Sequence, residues 1–381
     1  MTPGRPLKLL LVTDEMETGG TQRQIGLIAR GLDRESFAPE VAYFRNRSFL
    51  VDELVAAGIP VTEIPKRARI DPVFLWKLSA FLRRGRYDLV HAFSFTGELW
   101  TALALTFAGR APLVSSVRGR YEGYSRLQWA LKARVARRSC GVVANSEAGA
   151  DLAAAKMRFP RNAIRVVRNG IAVPERRPGS GLRTELGLSE SHVAAIFVGR
   201  LVPDKNVTSL LRAVTALPKF PQPFVLLVAG DGPLRGELER LSRDLGLSDR
   251  VFFLGERRDV ADLLQAASFL VLPSLGEGLS NVLLEAMACG CPVLASDVPG
   301  NREALRHRED GLLYASGNQE SFTQALHTMI TDAPLRQQLA ARAEVRARRE
   351  FSLDAMVRAM GSIYLSCVRA SSELRALGVE A

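Results

Sequence analysis

A chain of 381 residues, 47% hydrophobic and 24% charged, has room for two cored domains and lies far from the composition of a disordered chain. No apolar run approaches bilayer length and no signal-peptide pattern opens the sequence, so a cytoplasmic location is expected, peripheral at most to the inner face of the membrane. The net charge of +11 is uneven, with 27 Lys/Arg against 15 Asp/Glu in residues 1–170 and 24 against 25 in residues 171–381. A basic first half calls for an anionic partner. It lacks the aromatic–basic interleaving and finger or RNA-binding motifs of nucleic-acid readers, so no nucleic acid is expected. Cys140, Cys289, Cys291 and Cys367 form no CxxC pair and have no histidine at zinc spacing, so neither a metal site nor a disulfide is expected.

Residues 7–13 are a strand-length apolar run, followed by Gly19-Gly20 and a helical pattern with Ile25, Ile28, Ala29 and Leu32 on one face. The glycine pair reads as a tight strand-to-helix turn or as a place where backbone approaches a ligand, and it is not the GxGxxG fingerprint. Residues 40–44, 61–64 and 88–93 read as strands, with helical spacing over 51–57 and 73–82 between them. His91 stands near the carboxyl end of the third, as a packing residue or a ligand-facing one. Residues 113–117 are the next strand, and Arg118 follows it. A guanidinium is no acid or base near neutral pH but holds anions through its planar fork.

Residues 121–138 interleave Tyr124, Leu127, Trp129, Leu131 and Val135 with Arg126, Lys132, Arg134, Arg137 and Arg138. That pattern fits a basic helix lying in a lipid interface and equally a helix packing its stripe on its own sheet. Residues 142–145 are a strand, Ser146 a helix cap, and 165–168 the last strand of this half. Pro174, Pro178, Gly179 and Gly181 give residues 173–191 linker composition, and the charge changes there, which puts a boundary near 175.

The second half restarts the alternation, with strands over 193–198, 224–228, 251–254, 269–272 and 293–295. Gly199, Arg200 and Lys205 lie between the first of these and a helix from about Val207, an arrangement suited to clamping a diphosphate. Gly230-Asp231-Gly232-Pro233 reads as a turn with Pro233 at the first helical position. Residues 269–303 hold strand, glycine loop, helix and strand, with Pro299-Gly300 turning the chain. The loop opens at the carboxyl end of a strand, where open α/β sheets bind ligands. Asn281 is positioned to cap the helix, turning its positive end toward the loop. An anion site there, with Glu277 and Glu285 as nearby acceptors, suits a sugar nucleotide. The same spacing also fits a surface acid and a solvated helix acid. After Ser321 the pattern is helical, and 342–350 reads as a solvated, charge-rich helix face.

The stretch EGLSNVLLEAMACGCPVLASDVPGNRE resembles the signature of the family 4 retaining glycosyltransferases of GT-B fold. Gly278, Glu285-Ala286-Met287-Ala288, Gly290-x-Pro292 and Gly300-x-x-Glu303 carry the resemblance. Gly199-Arg200 through Lys205 resembles a second family segment. The resemblance implies two Rossmann-like doubly wound α/β domains, each with a parallel sheet, facing across a cleft. These are an acceptor-binding domain at 1–175, to which a C-terminal helix of about 360–381 returns, and a donor-binding domain at 176–359. It implies that Glu277 and the loop amides of Gly278, Leu279, Ser280 and Asn281 hold the donor sugar, that Glu285 binds ribose, and that Gly199, Arg200 and Lys205 hold the diphosphate. Gly19 and Gly20 are implied to face the donor phosphates and acceptor, and His91 the acceptor. Many family members have a histidine where Arg118 stands, so an anion-binding role is expected here instead.

The function expected is retaining transfer of a hexose-type sugar from a nucleotide diphosphate donor to an anionic, lipid-linked or polysaccharide acceptor at the membrane surface. Arg200, Lys205 and Glu277 form its catalytic set, with no metal or other cofactor. A GT-B epimerase or hydrolase, and a non-catalytic basic membrane- or partner-binding protein, are the alternatives. The retained Arg200, Lys205, Glu277 and Glu285 argue against the second of these.

Overall fold

The computed structural model describes residues 5–109, 111–118, 123–173 and 182–376. The linker-like 174–181, the start of the basic stretch at 121–122, and residues 377–381 lie outside them. Apolar runs buried on both faces become central parallel strands, and the amphipathic runs between them become crossover helices. In the first half the strands are β1 (Leu7–Met16), β2 (Phe37–Arg47), β3 (Val61–Glu63), β4 (Leu89–Ala92), β5 (Leu113–Val117), β6 (Gly141–Ala144) and β7 (Ile164–Val166). They form one sheet in the order β3-β2-β1-β4-β5-β6-β7, every pair parallel.

The connecting helices are α1 (Gly20–Gly31), α2 (Phe49–Ala56), α3 (Pro72–Gly85), α4 (Phe95–Ala108), α5 (Arg126–Arg138) and α6 (Glu147–Met157). Ser48, Asp71, Ser94, Ser125 and Ser146 each accept an amide of the helix they precede, and each such cap is worth about 1 kcal/mol.

The second half repeats the plan with β8 (Val193–Val198), β9 (Phe224–Ala229), β10 (Val251–Gly255), β11 (Phe269–Leu272), β12 (Val293–Ser296) and β13 (Leu312–Tyr314). Their order is β10-β9-β8-β11-β12-β13, again all parallel. Helices α7 (Leu182–Glu185), α8 (Val207–Thr215), α9 (Arg235–Asp244), α10 (Val260–Ala266) and α11 (Asn281–Ala288) belong to it, as do α12 (Pro299–Ala304), α13 (Gln319–Thr331) and α14 (Ala333–Glu350).

Three local expectations are corrected. Pro233 sits in the turn before α9, whose first residue is Arg235, and Leu234 flanks the helix. Pro299 starts the short helix α12 rather than a turn. In α14, Arg346 is not solvated: it pairs with Asp310 at 2.9 Å and Glu350 at 3.2 Å and is nearly buried.

The last helix, α15 (Leu353–Ala376), places Met356, Met360, Ile363, Tyr364 and Cys367 at helical spacing against the core of the first sheet. The chain therefore divides after Gly170 and again before Leu353, with Ile171–Ser352 as the second compact unit. The whole of α15, not only its end, packs with the first unit.

Helix α5 is pinned to its own sheet by a buried charge pair. Lys132 Nζ lies 2.8 Å from a carboxylate oxygen of Glu98 in α4, both side chains are 1% exposed, and Lys132 also donates to the Ser116 carbonyl at 2.7 Å. Glu98 in turn accepts the Ser116 amide at 2.8 Å. Trp129, Ala133, Val135 and Ala136 bury beside it. Of the interleaved set, Trp129, Val135 and the cation Lys132 thus face inward. Burial raises the Glu98 carboxyl above its ordinary range, opposed by the Lys132 charge. Removing the lysine leaves a buried carboxylate alone, so Lys132→Met should cost about 3–5 kcal/mol at neutral pH by urea denaturation. Because the folded carboxyl then prefers its proton even more strongly, the deficit should shrink as pH falls toward the unfolded value near 4.5. A deficit that does not change with pH would contradict this account.

Candidate functional site

A doubly wound sheet leaves a crevice where its strand order reverses, because the neighbouring connections depart to opposite faces. In the second unit that point lies between β8 and β11, which pair through Phe269–Ala195 and Leu270–Ile196. The two loops singled out in the sequence leave these two adjacent strands. After β8 come Gly199, Arg200 and a single helical turn at Pro203–Lys205. Asn206 then adopts the left-handed conformation (φ 53°) that turns the chain into α8. After β11 come residues 273–280 and then α11.

The loops are joined by backbone and by charge. The Leu275 amide donates to the Asp204 carbonyl at 2.9 Å. Lys205 Nζ is hydrogen-bonded and ion-paired to Glu277 Oε1, and Ser274 Oγ donates to the same oxygen at 2.7 Å. Glu277 is 12% and Lys205 26% exposed, so the pair is shielded yet reachable. Arg200 is exposed, and Gly199 and Gly278 are half-buried.

Helix α11 begins at Asn281. Its flanking residue is Ser280, not Asn281 as expected, and the Ser280 side chain makes no capping bond. The change keeps the positive helix end at the loop, now with the buried Leu279 and Ser280 leading into it. Asn281 and Glu285 sit four residues apart and so share one helix face.

Two close approaches fix these loops. A Cβ at Gly300, in the first turn of α12, would lie 1.8 Å from the Gly278 carbonyl oxygen and 2.5 Å from that of Glu277. A Cβ at Gly230 (φ 139°) would lie 1.9 Å from the Gly199 carbonyl oxygen. The Gly199 amide donates to Ala229 at 3.0 Å and the Leu201 amide to Asp231 at 2.8 Å. The Gly230–Gly232 turn, which the sequence presents as local, is thus the floor under Gly199–Leu201.

The first unit holds the other expected residues. Gly19 flanks α1 and its carbonyl accepts the Arg23 amide at 3.0 Å, with Gly20 the first helical residue, beyond the end of β1. The order reversal of this sheet lies between β1 and β4, bridged by the Asp14 amide donating to Ser94 Oγ at 3.1 Å. His91 is fully buried, its Nδ1 2.8 Å from the Tyr364 hydroxyl and its Nε2 2.7 Å from Ser116 Oγ. Burial, and then the charge of Arg118, hold the imidazole well below its usual pKa, so it is neutral.

Arg118 is 8% exposed and donates to Asn169 Oδ1 at 3.0 Å. Its guanidinium lies 5.2 Å from the centre of the Phe93 ring, against which His91 also stacks at 3.9 Å. Gln24 of α1 donates to the Gly170 carbonyl at 3.0 Å. Asn169-Gly170 therefore links Arg118 to α1. In the sequence it signals only the end of a strand.

Residues 182–346 match a family model described as glycosyl transferases group 1, and residues 18–173 one described as glycosyltransferase family 4. The chain is 32% identical over 250 residues to a D-inositol 3-phosphate glycosyltransferase of Streptomyces bingchenggensis, the match covering 62% of this chain and 55% of that one. The chain thus spans little more than half of that relative. It is 28% identical over 278 residues to the UDP-Gal:alpha-D-GlcNAc-diphosphoundecaprenol alpha-1,3-galactosyltransferase of Escherichia coli, covering 69% and 70% of the two chains. The crystal structure of Anabaena Alr3699/HepE in complex with UDP-glucose superposes with a TM-score of 0.83 at 26% identity, over 97% of this chain and 100% of that one.

Gly300→Ala must push the 277–278 backbone aside and should cost about 1–3 kcal/mol in urea denaturation. Gly236→Ala, in α9 with open space around the new methyl, should be neutral or stabilising by up to about 1 kcal/mol. Equal stability of the two variants would remove the case for a glycine-dependent loop contact.

Proposed function

Because the chain belongs to the family 4 glycosyltransferases of GT-B fold, we propose that it transfers a hexose-type sugar from a nucleoside diphosphate donor to an acceptor with retention at the anomeric carbon. The observation that carries the proposal is the meeting of Lys205 and Glu277 at the strand-order reversal, beside Arg200 and the start of α11. Such a place offers cations and helix amides to a diphosphate, and a carboxylate to sugar hydroxyls.

In this mechanism the bond between the anomeric carbon and the diphosphate breaks, and negative charge builds on the departing phosphate. Lys205, Arg200 and the α11 end offset that charge from fixed positions, so little reorganisation is needed as it develops. The proposal assigns this task to the protein's own cations rather than to a metal. Glu277 accepts hydrogen bonds from the donor-sugar hydroxyls, the amides of residues 278–281 donate to the sugar oxygens, and Glu285 holds the ribose. The acceptor hydroxyl attacks on the face the diphosphate leaves and passes its proton to a phosphate oxygen of the leaving group.

The Anabaena neighbour is a complex with UDP-glucose, which favours a uridine diphosphate hexose as the donor to try first. The named acceptor of the Escherichia coli relative is a diphosphoundecaprenol. With the cation excess of residues 1–170, that favours an acceptor that is itself a lipid-linked phosphate. Gly19, Gly20 and Arg118 are assigned to the phosphate- and acceptor-binding side. His91 acts indirectly, through Ser116 and Tyr364.

Glu285→Ala should weaken UDP-glucose binding at least about tenfold by calorimetry, as expected for losing a hydrogen bond to a charged group. Lys205→Ala should lower the sugar-transfer rate about 10²–10³-fold with a smaller effect on binding. Unchanged binding in the first and unchanged turnover in the second would sink the site assignment. Sugar-nucleotide consumption without any acceptor would instead favour a hydrolase or epimerase.

A further inference from the structure

Five of the ten large hydrophobic side chains exposed among the described residues lie on one face of the first unit. Ile70 is 81% exposed just before α3, Val73 and Trp76 are 63% and 70% exposed on it, and Leu103 and Phe107 are 42% and 59% exposed on α4. The two helices are packed side by side. The Phe74 and Trp100 rings meet at 5.4 Å, and Arg83 donates to the Phe107 carbonyl at 2.8 Å. Val73 and Trp76 are three apart and Leu103 and Phe107 four apart, so each pair lines one stripe of its helix. Apolar side chains gathered this way on one surface mark an interaction site, whereas single exposed ones need no explanation.

The charge around them identifies the partner. Residues 66–108 contain seven Lys/Arg and three Asp/Glu. Each of the three acids is already engaged: Asp71 caps α3, Asp88 pairs with Arg5, and Glu98 is in the buried pair with Lys132. Arg69, Lys77, Arg83 and Arg84 are exposed along the apolar stripe. Two copies of this face would bring like charges together, which disfavours self-pairing. A bilayer bearing anionic phospholipid answers both features. Its acyl boundary takes the rings and aliphatic chains, and its phosphates take the cations, whose long stems lie along the apolar surface.

We propose that the α3–α4 face docks on an anionic membrane surface, with Trp76 and Phe107 entering the interface and Lys77 and Arg84 reaching headgroup phosphates. The contact is peripheral, since no helix among the described residues is long and apolar enough to cross a membrane. It lies on different helices from the 121–138 stretch, which the sequence left open between a lipid interface and its own sheet and where Trp129, Val135 and Lys132 are buried in the protein's own core. The proposal does not depend on the glycosyl-transfer reading, because lipid binding alone tests it.

The test is flotation of the full chain with vesicles of phosphatidylcholine alone and of phosphatidylcholine mixed equally with phosphatidylglycerol. Binding should occur on the mixed vesicles, be weak on the neutral ones, and fall as salt rises. Trp76→Ser combined with Phe107→Ser, and separately Lys77→Glu combined with Arg84→Glu, should each reduce partitioning by at least about tenfold. Both variants should keep the thermal midpoint of the parent, and Leu127→Ser on α5 should leave partitioning unchanged. In the unaltered protein, brominated anionic lipid should quench tryptophan emission by an amount that Trp76→Phe removes. The proposal is overturned by equal binding to neutral vesicles, by variants that bind as the parent does, or by absence of Trp76 quenching. A dimer seen by light scattering that Trp76→Ser dissolves would overturn it too, assigning the face to a second copy.

Discussion

A lysine and a glutamate 72 residues apart in the chain meet where two parallel strands send their connections to opposite faces of a sheet, and the organisation of the second unit serves that meeting. Strands β8 and β11 bring the two loops to one edge, the Leu275–Asp204 backbone bond joins them, and glycines at 230 and 300 let neighbouring segments close beneath them. Breaking a shielded ion pair by deleting one partner costs more than the pair itself contributes. Lys205 and Glu277 therefore hold each other in place at little net gain in stability. In the transfer we propose, a diphosphate brought to this place competes with Glu277 for Lys205 and frees the carboxylate for the attached sugar, so that the ion pair holds a cation and an acceptor that the reaction would use separately.

The first unit uses the same sheet plan but fills its strand ends with a buried polar chain. Tyr364 from α15, His91 from β4, Ser116 from β5, and the Glu98–Lys132 pair from α4 and α5 are linked by successive contacts of 2.7–2.8 Å. Such a network is favourable only when its members are paired, and a neutral His91 is what lets it sit in the core without an unmatched charge. Its effect is to tie the last helix of the chain to the first sheet and to set Phe93 as a platform under Arg118.

The strands and their order of appearance were legible because runs such as residues 7–13 and 193–198 are apolar on both faces, which only central parallel strands require. Helix α4 was not, since its sequence FTGELWTALALTFA is apolar almost all round and offers no periodic contrast. Strand β13 was missed as well, although β3 and β7, equally three residues long, were read. Glu277 and Glu285 stood out through the family resemblance of the stretch around them, since their spacing alone fits a surface acid and a solvated helix acid equally well. The contact of Glu277 with Lys205 was hidden because it depends on strand adjacency, which the sequence does not state. Asn281 read as the cap of α11, but the helix begins at it, and the flanking Ser280 makes no side-chain cap bond. Lys132 belonged to a stretch left open between a lipid interface and a packed helix, and nothing local announces that its partner is Glu98, 34 residues away.

The most direct test of the central claim is a crystal structure of the protein with a bound UDP-sugar. The account predicts the diphosphate against Lys205, Arg200 and the first amides of α11, with Lys205 drawn from Glu277 toward phosphate, and Glu277 turned to the sugar hydroxyls. Nucleotide density elsewhere, with the Lys205–Glu277 pair intact, would contradict it.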